Sequence, residues 1–170
     1  MEKTIKVINE IQKEGLIKKY AMGGGIATIF YVEPILTYDL DIFFIPSKKE
    51  RTLTILSPIY KWLKEKGYKT YKEHIVIEGI PVQFIPVYNE LIEDAVKEAV
   101  EIKYKNTKTL VIRAEHLIAI MLQTFRPKDK ERIIKILDEA EINMNHLMEI
   151  LQKYNLKERF EHFRGWYYGE

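Results

Sequence analysis

The chain has 170 residues, 46% of them hydrophobic, and its 27 Lys and Arg against 25 Asp and Glu leave a net charge of +2. This length and composition favour one domain with a substantial core, and the near balance of charge gives no whole-chain argument for nucleic-acid binding. The absence of cysteine excludes disulfides and thiolate zinc sites, and because neither a signal peptide nor an apolar run of membrane-spanning length is visible, we expect a cytoplasmic protein outside the membrane.

The first half of the chain alternates helical and strand patterns. Ile5 and Ile8 recur at helical spacing within the first helix. Ser47 and Glu50 form a predicted capping box for the helix after the first long strand, and Pro58 predicts a break or kink within that helix. In chain order the patterns predict a helix over 3–19, a strand over 20–22, a helix over 25–32, a strand over 38–45, a helix over about 47–66, and a hairpin with strands at 68–77 and 80–87.

The second half is mostly helical. The patterns predict a helix over 88–100, short strands at 102–104 and 109–112, and helices over about 113–125, 128–140, 143–153 and 155–164. We therefore predict an α+β fold with a small mixed sheet flanked by helices and a helical C-terminal part. The αβ core would span 1–112, and the helices of 113–170 would pack on it to form one compact unit.

A glycine triplet and a pair of aspartates are the residues most suggestive of chemistry. Gly23–Gly25 lies between a strand and a helix start, where bare backbone N–H groups can receive a phosphate. Asp39 and Asp41 are two residues apart on a predicted strand, so both carboxylates face the same side, about 6.5–7 Å apart at Cα. Two such charges on one face are unfavourable unless a cation or a hydrogen-bond donor holds them, and magnesium fits because it takes oxygen ligands. The structural alternatives are a tight turn for the glycines and an edge-strand charge for the aspartates.

Three stretches together resemble the nucleotidyltransferase superfamily, whose fold is that of polymerase-β-like enzymes. Gly24–Ala27 is similar to a G-G-x-A loop, Thr37–Asp41 to a T-x-D-h-D strand, and Glu115–Ala119 to an E-H-L-I-A helix that precedes the segment Arg126–Asp129. The closer likeness is to the small prokaryotic branch that includes abortive-infection and toxin–antitoxin nucleotidyltransferases. The motifs span 24–129, which is most of the chain, and they occur in the expected order.

The resemblance implies metal-dependent transfer of a nucleoside monophosphate from a nucleoside triphosphate to an RNA, protein or small-molecule acceptor. The cofactor would be Mg²⁺ or Mn²⁺. Asp39 and Asp41 would be the catalytic residues and the metal ligands. The nucleotide would be bound by Gly24, Gly25, Thr37, Arg126, Lys128 and Asp129.

Two positions depart from the family pattern. The family places a third carboxylate on a later strand, where this chain has Gln83, a neutral amide that cannot act as a base. Relatives often carry a lysine where this chain has Met121, which cannot neutralise phosphate charge. Loss of a general base typically costs about 10²- to 10⁴-fold in rate. Glu73 or Glu78 could replace the missing acid, although the position of Glu78 at a predicted hairpin turn argues against it.

Three functional hypotheses therefore remain open at this stage. The first is an active nucleotidyltransferase, and the second is a catalytically impaired member that binds nucleotide. The third is a toxin–antitoxin interaction module that acts through its C-terminal helices and the aromatic segment Trp166–Tyr168. The segment also fits a cover for the core or a dimer contact. The four histidines show no close metal-ligand spacing, and His116 is interpreted as a packed or capping residue. The oligomeric state is left open.

Overall fold

The computed structural model describes residues 1–32, 37–48 and 54–169 of the chain. Within these ranges it contains eight helices and seven strands. The helices are α1 (Glu2–Lys13), α2 (Gly24–Ile29), α3 (Ser57–Glu65), α4 (Glu90–Lys97), α5 (Ala114–Thr124), α6 (Pro127–Glu139), α7 (Met144–Lys153) and α8 (Lys157–Tyr168). The strands are β1 (Ile17–Gly23), β2 (Leu40–Pro46), β3 (Lys69–Tyr71), β4 (His74–Ile77), β5 (Ile80–Pro86), β6 (Val100–Tyr104) and β7 (Thr107–Val111).

The strands form one mixed sheet in the order β3-β4-β5-β2-β1-β7-β6. Strand β2 is central, antiparallel to β1 and parallel to β5. Strand β1 also pairs in parallel with β7. The predicted α+β class, with a mixed sheet flanked by helices and followed by a helical region, is confirmed. The sheet is larger than predicted because both hairpins join it at its two ends.

The first helix is shorter than predicted, and the first strand is longer. Helix α1 buries Ile5, Ile8 and Ile11 against the sheet. Gly15 then adopts φ +74, a left-handed conformation that ends the helix. The chain runs on into β1, which starts at Ile17 instead of residue 20. The prediction over 3–19 was wrong beyond Lys13 because the apolar residue Ile17 belongs to a strand.

Pro58 determines where α3 begins. The prediction of a helix from 47 was wrong at residues 47–48 and 54–56, because α3 starts at Ser57 with Pro58 in its first turn, and residues 49–53 lie outside the described part of the chain. Proline breaks a helix interior but is tolerated in the first turn, where its missing N–H has no helical partner. The hydroxyl of Ser47 donates to the Gly15 carbonyl oxygen at 2.6 Å. Glu50, the other half of the predicted capping box, lies outside the described residues.

The predicted hairpin is confirmed, with an additional turn. The Glu78–Gly79 turn joins β4 to β5, and both residues have positive φ values of 51 and 82, as a two-residue hairpin requires. The predicted single strand over 68–77 is divided into β3 and β4 by a second turn, in which Lys72 has φ 53. The hairpin is therefore a three-stranded unit.

Helix α5 is the central element of the helical region. Every residue from Ala114 to Leu122 is buried, because the helix packs against α4, α6 and α7. Helix α8 continues to Tyr168, four residues past the predicted end at 164. Among the described helices, none combines the length and the apolar character that crossing a membrane would require.

Candidate functional site

A row of residues that runs across three strands forms the floor of the site. Asp41 on β2 is the register partner of Gly23 on β1 and of Gln83 on β5. Cross-strand partners present their side chains to the same face of a sheet, so Asp41 and Gln83 lie side by side. Asp39 lies just before β2, which starts at Leu40, so the prediction that both aspartates are within one strand was wrong. The two carboxylates are nevertheless close enough to interact electrostatically.

The glycine turn lies directly against the acidic pair. Gly24 has φ +59 and begins α2. A Cβ atom at Gly24 would occupy the place of the Asp41 Oδ2 atom. A Cβ atom at Gly25 would lie 2.6 Å from Thr37 Oγ1 and 2.7 Å from Arg132 Nη2. The turn therefore needs glycine at both positions, and it brings the backbone into contact with a carboxylate, a hydroxyl and a guanidinium group.

Three cations at the start of α6 lie near enough to Asp41 to act on its charge. Lys128, Arg132 and Arg126 all act electrostatically on Asp41. Among the described residues, no Lys or Arg nitrogen forms a salt bridge with Asp41, whose carboxylate oxygens therefore remain available to another cation. Sequence reasoning missed Arg132. The detectable feature was its spacing, because Arg132 follows Lys128 by one helical turn and shares its face of α6.

Asp129 forms part of the N-terminal cap of α6. Its carboxylate is 1% exposed and accepts hydrogen bonds from the Thr124 hydroxyl at 2.8 Å, from Arg126 N at 3.0 Å and from Arg126 Nε at 2.8 Å. Burial acts to raise the pKa of Asp129, but these bonds outweigh it and leave the pKa below its ordinary value. The carboxylate fixes the position of Arg126 through both Nε and Nη2, and the Arg126 side chain stays more than half exposed.

Asp41 titrates well above an ordinary aspartate. Burial is the larger cause, and the negative charge of Asp39 is the second; together they raise its pKa to about 6, although Lys128, Arg132 and Arg126 oppose the shift. Both causes penalise the ionised form. A cation bound between the two carboxylates would remove the repulsion by Asp39. It would also compensate for the cost of burying the ionised Asp41 carboxylate.

His74 is a neighbour of the acidic pair that sequence reasoning did not identify. Its Nε2 atom lies 3.4 Å from Asp39 Oδ2. Ile75 is the register partner of Val82, which places His74 opposite Gln83 on the adjacent strand. No local pattern predicts this contact, because 35 residues separate His74 from Asp39. Glu73 is exposed beside His74, whereas Glu78 accepts a hydrogen bond from Tyr68 Oη at 2.9 Å at the hairpin turn.

A cleft of about 440 Å³ opens above the row, between the sheet and α5. Its polar and charged lining includes Asp41, Gln83, Thr124, Arg126 and Asp129. Met121, which stands where relatives of the family often carry a lysine, contributes an apolar side chain to the lining. Tyr88 also lines the cleft and is 58% exposed. Of the predicted site residues, Gly24, Asp41, Gln83, Arg126 and Asp129 line this cleft. Thr37 lies beside Gly25, and Asp39 and Lys128 act electrostatically on Asp41.

Comparisons with known proteins identify the fold. No family model matches the sequence, and no curated protein matches it. The fold is similar to the crystal structure of an antigenic nucleotidyltransferase-like protein from Paracoccidioides brasiliensis, with a TM-score of 0.55 and 13% identity over 94% of this chain and 92% of that chain. It is also similar to the solution structure of the antibiotic-resistance factor ANT(2'')-Ia, with a TM-score of 0.50 and 14% identity over 100% of both chains. The chain therefore has a nucleotidyltransferase fold.

Proposed function

We propose that the chain binds a nucleoside triphosphate and a divalent metal ion between the glycine turn and the acidic pair, and transfers the nucleoside monophosphate to an acceptor. One observation carries this proposal. The Asp41 carboxylate packs on the backbone of Gly24, and Lys128 and Arg132 act on it electrostatically without forming a salt bridge to it. A metal ion and a polyphosphate need this combination of a carboxylate without a salt-bridge partner, bare backbone and nearby cations.

The acidic pair fits a hard divalent cation. Asp39, just before β2, and Asp41, the second residue of β2, supply carboxylate oxygens that interact electrostatically. Magnesium prefers such ligands and keeps the remaining positions for water and substrate phosphates, and manganese accepts the same set. When bound, the ion would neutralise charge on the phosphates and orient them. Gln83 could add only a neutral amide oxygen, which makes the site weaker than one with three carboxylates.

The cations of α6 fit the triphosphate. Helix α2 has six residues, so its dipole is a small contribution to anion binding. Full charges therefore have to supply most of the attraction, and Arg132 Nη2 reaches the backbone of Gly25. Thr37 Oγ1 lies beside the same glycine and can donate to a phosphate oxygen. We assign Asp129 a positioning role, since its carboxylate is already bonded to Thr124 and Arg126.

Proton removal from the acceptor is the weakest step of the proposed reaction. Transfer of the monophosphate forms a bond from the acceptor to the α-phosphorus and releases pyrophosphate, and the acceptor proton must leave. Gln83, beside Asp41, cannot take that proton. We therefore expect slow turnover with an acceptor that has an acidic or readily deprotonated group.

The second candidate function is nucleotide binding without turnover. It is favoured by Gln83 and Met121, which line the cleft where a carboxylate and a cation would assist the chemistry. RNA and protein acceptors or partners, including a toxin–antitoxin partner, stay proposals. The exposed ring of Trp166, which is 75% accessible near the end of α8, supports a protein contact.

Titration of the full chain with a nucleoside triphosphate and Mn²⁺ tests the proposal. We expect metal-dependent binding that Asp41→Asn weakens by at least about tenfold. Incubation with an α-³²P-labelled triphosphate and candidate acceptors then separates the two functions: label on an acceptor selects transfer, and binding without label selects the second candidate. Absence of binding at millimolar triphosphate would reject both.

A further inference from the structure

A second group of metal-ligating side chains lies away from the cleft. Glu98 follows α4, His116 is in the first turn of α5, and His146 is in the first turn of α7. One ligand atom from each residue lies within 4.8 Å of the other two. His116 and Thr124 are at opposite ends of α5, about 12 Å apart at about 1.5 Å per residue. Because Thr124 lines the cleft, the group is distinct from the proposed nucleotide site.

The distances within this group approach those of a zinc site. Two ligands that each lie about 2.0–2.1 Å from a tetrahedral zinc ion are about 3.4 Å apart. The His146 Nε2 atom lies 3.3 Å from Glu98 Oε2, and His116 Nε2 lies 4.0 Å from the same oxygen. The two imidazole rings meet edge to face with centroids 5.7 Å apart. Small side-chain rotations would suffice to place all three ligand atoms around one ion.

His116 has a polar group that the protein does not satisfy. Its side chain is 1% exposed, and its Nδ1 atom has no hydrogen-bond partner among the described residues. The distance of 4.0 Å from Nε2 to the Glu98 carboxylate is longer than a hydrogen bond. A buried polar atom without a partner is costly. An ion bound at Nε2 would leave the ring neutral with its proton on Nδ1, and Nδ1 itself would still lack a partner among the described residues.

The backbone that carries the ligands is held in place. The Glu115 carboxylate accepts from Asn143 N at 2.8 Å, which ties the start of α7 to the start of α5. The Asn143 side chain accepts from His146 N at 3.1 Å and caps α7. Arg113 Nε donates to the Glu98 carbonyl oxygen at 2.9 Å. Such support is what a preorganised ligand set needs.

We propose that Glu98, His116 and His146 form a site for Zn²⁺ or a similar borderline transition-metal ion, with water as the fourth ligand. Two imidazoles and one carboxylate suit zinc, cobalt and nickel better than magnesium. The Glu149 Oε2 atom lies 3.8 Å from Nδ1 of His146, the ring nitrogen away from Glu98, where a carboxylate supports a ligating imidazole. The ion would join α4, α5 and α7 and thereby stabilise the packing of the helical region.

Zinc titration of chelator-treated full-length protein tests this site. Calorimetry gives the stoichiometry and the affinity of zinc binding. The visible absorption of the Co²⁺-substituted protein gives the coordination geometry. One zinc ion per chain is expected, with tetrahedral Co²⁺ bands and a higher melting temperature. His146→Ala and Glu98→Gln should each weaken zinc binding at least about tenfold. Both side chains are partly or fully exposed, so these variants should fold, as far-ultraviolet circular dichroism would verify.

Two control variants test whether the zinc ion binds at Glu98, His116 and His146 and at no other place. His162→Ala removes an exposed histidine on α8 and should leave zinc binding unchanged. Asp41→Asn disables the acidic pair and should also leave one zinc ion bound with unchanged affinity. Zinc that persists in His146→Ala but is lost in Asp41→Asn would place the ion at the acidic pair and overturn the proposal. Absence of zinc binding by the wild-type chain would overturn it as well.

Discussion

Gln83 on β5 is the parallel-register partner of Asp41 on β2, and both side chains line the same cleft. A carboxylate at position 83 would therefore face the acidic pair directly. We expect Gln83→Asp to raise Mn²⁺ affinity by about tenfold or more, because a charged oxygen ligand replaces a neutral amide. Calorimetry measures this change, and Gln83→Asn is the control of equal size without charge. Equal affinities for the two variants would show that position 83 does not reach the metal.

Gly24 tests the contact between the turn and the acidic pair. A methyl group at Gly24 would displace the Asp41 carboxylate, whereas at Gly79, which also has a left-handed φ of +82, nothing lies within 4 Å of the added atom. Both Gly→Ala substitutions strain the backbone, by roughly 1–2 kcal/mol. Only Gly24→Ala should also reduce Mn²⁺ and triphosphate binding, measured by calorimetry. Equal ligand affinity in the two variants would contradict the proposed role of the turn.

Substitution of Arg132 tests whether this side chain contacts the triphosphate. Arg132→Ala should weaken triphosphate binding by about tenfold, or about 1.4 kcal/mol, because a guanidinium beside Gly25 is removed. Lys130→Ala on the same helix is the matched control, since its Nζ lies 4.4 Å over the Phe125 ring. We expect that control to keep full affinity in a fluorescence titration. A loss of similar size in both variants would indicate general electrostatic attraction and no specific contact.

The high pKa of Asp41 predicts a pH dependence of stability. Its folded pKa of about 6 exceeds the ordinary 3.8, so between these values the folded chain holds a proton that the unfolded chain has lost. The contribution of Asp41 to the free energy of unfolding therefore falls as pH rises through this window, and the loss is complete above about pH 6. Asp41→Asn should raise the melting temperature at pH 8 but change it little at pH 4.

The affinity of the acidic pair for a metal ion should rise with pH, whereas the contribution of Asp41 to stability falls. A proton on Asp41 competes with the ion, so Mn²⁺ affinity is expected to increase from pH 5 to pH 7. Asp39→Asn removes the repulsion that is the second cause of the shift and should lower the pKa of Asp41. Nuclear magnetic resonance of the labelled carboxyl carbon measures that pKa directly. An unchanged pKa in the Asp39 variant would mean that burial alone sets it.

Asp129 tests the proposed positioning of Arg126. Asp129→Ala removes a buried acceptor of bonds from Thr124 and Arg126, and should destabilise the chain by about 2–4 kcal/mol in urea unfolding. Glu131→Ala, at an exposed position two residues later, should stay within about 0.5 kcal/mol of wild type. A small effect of Asp129→Ala would contradict the importance of this cap.

Much of the fold could be predicted because the patterns are local. The Glu78–Gly79 turn, the start of α6 near the predicted residue 128 and the buried periodicity of α1 each depend on neighbouring residues. The helix and strand boundaries that were predicted wrongly lie in segments whose residues fit both a helix and a strand. Residues 14–19 continue an apolar pattern that also fits a strand, and sheet pairing from Ile17 onward decided between them.

The sequence by itself was enough to predict the kind of site, since the glycine turn and the two aspartates are close in the chain and their residue types indicate their chemistry. Only the tertiary structure brought Arg132 to Gly25, His74 to Asp39 and His116 to His146. These contacts join residues from different elements. They depend on which faces of the sheet and helices pack together, and that choice is made by burial of the whole core instead of any short segment.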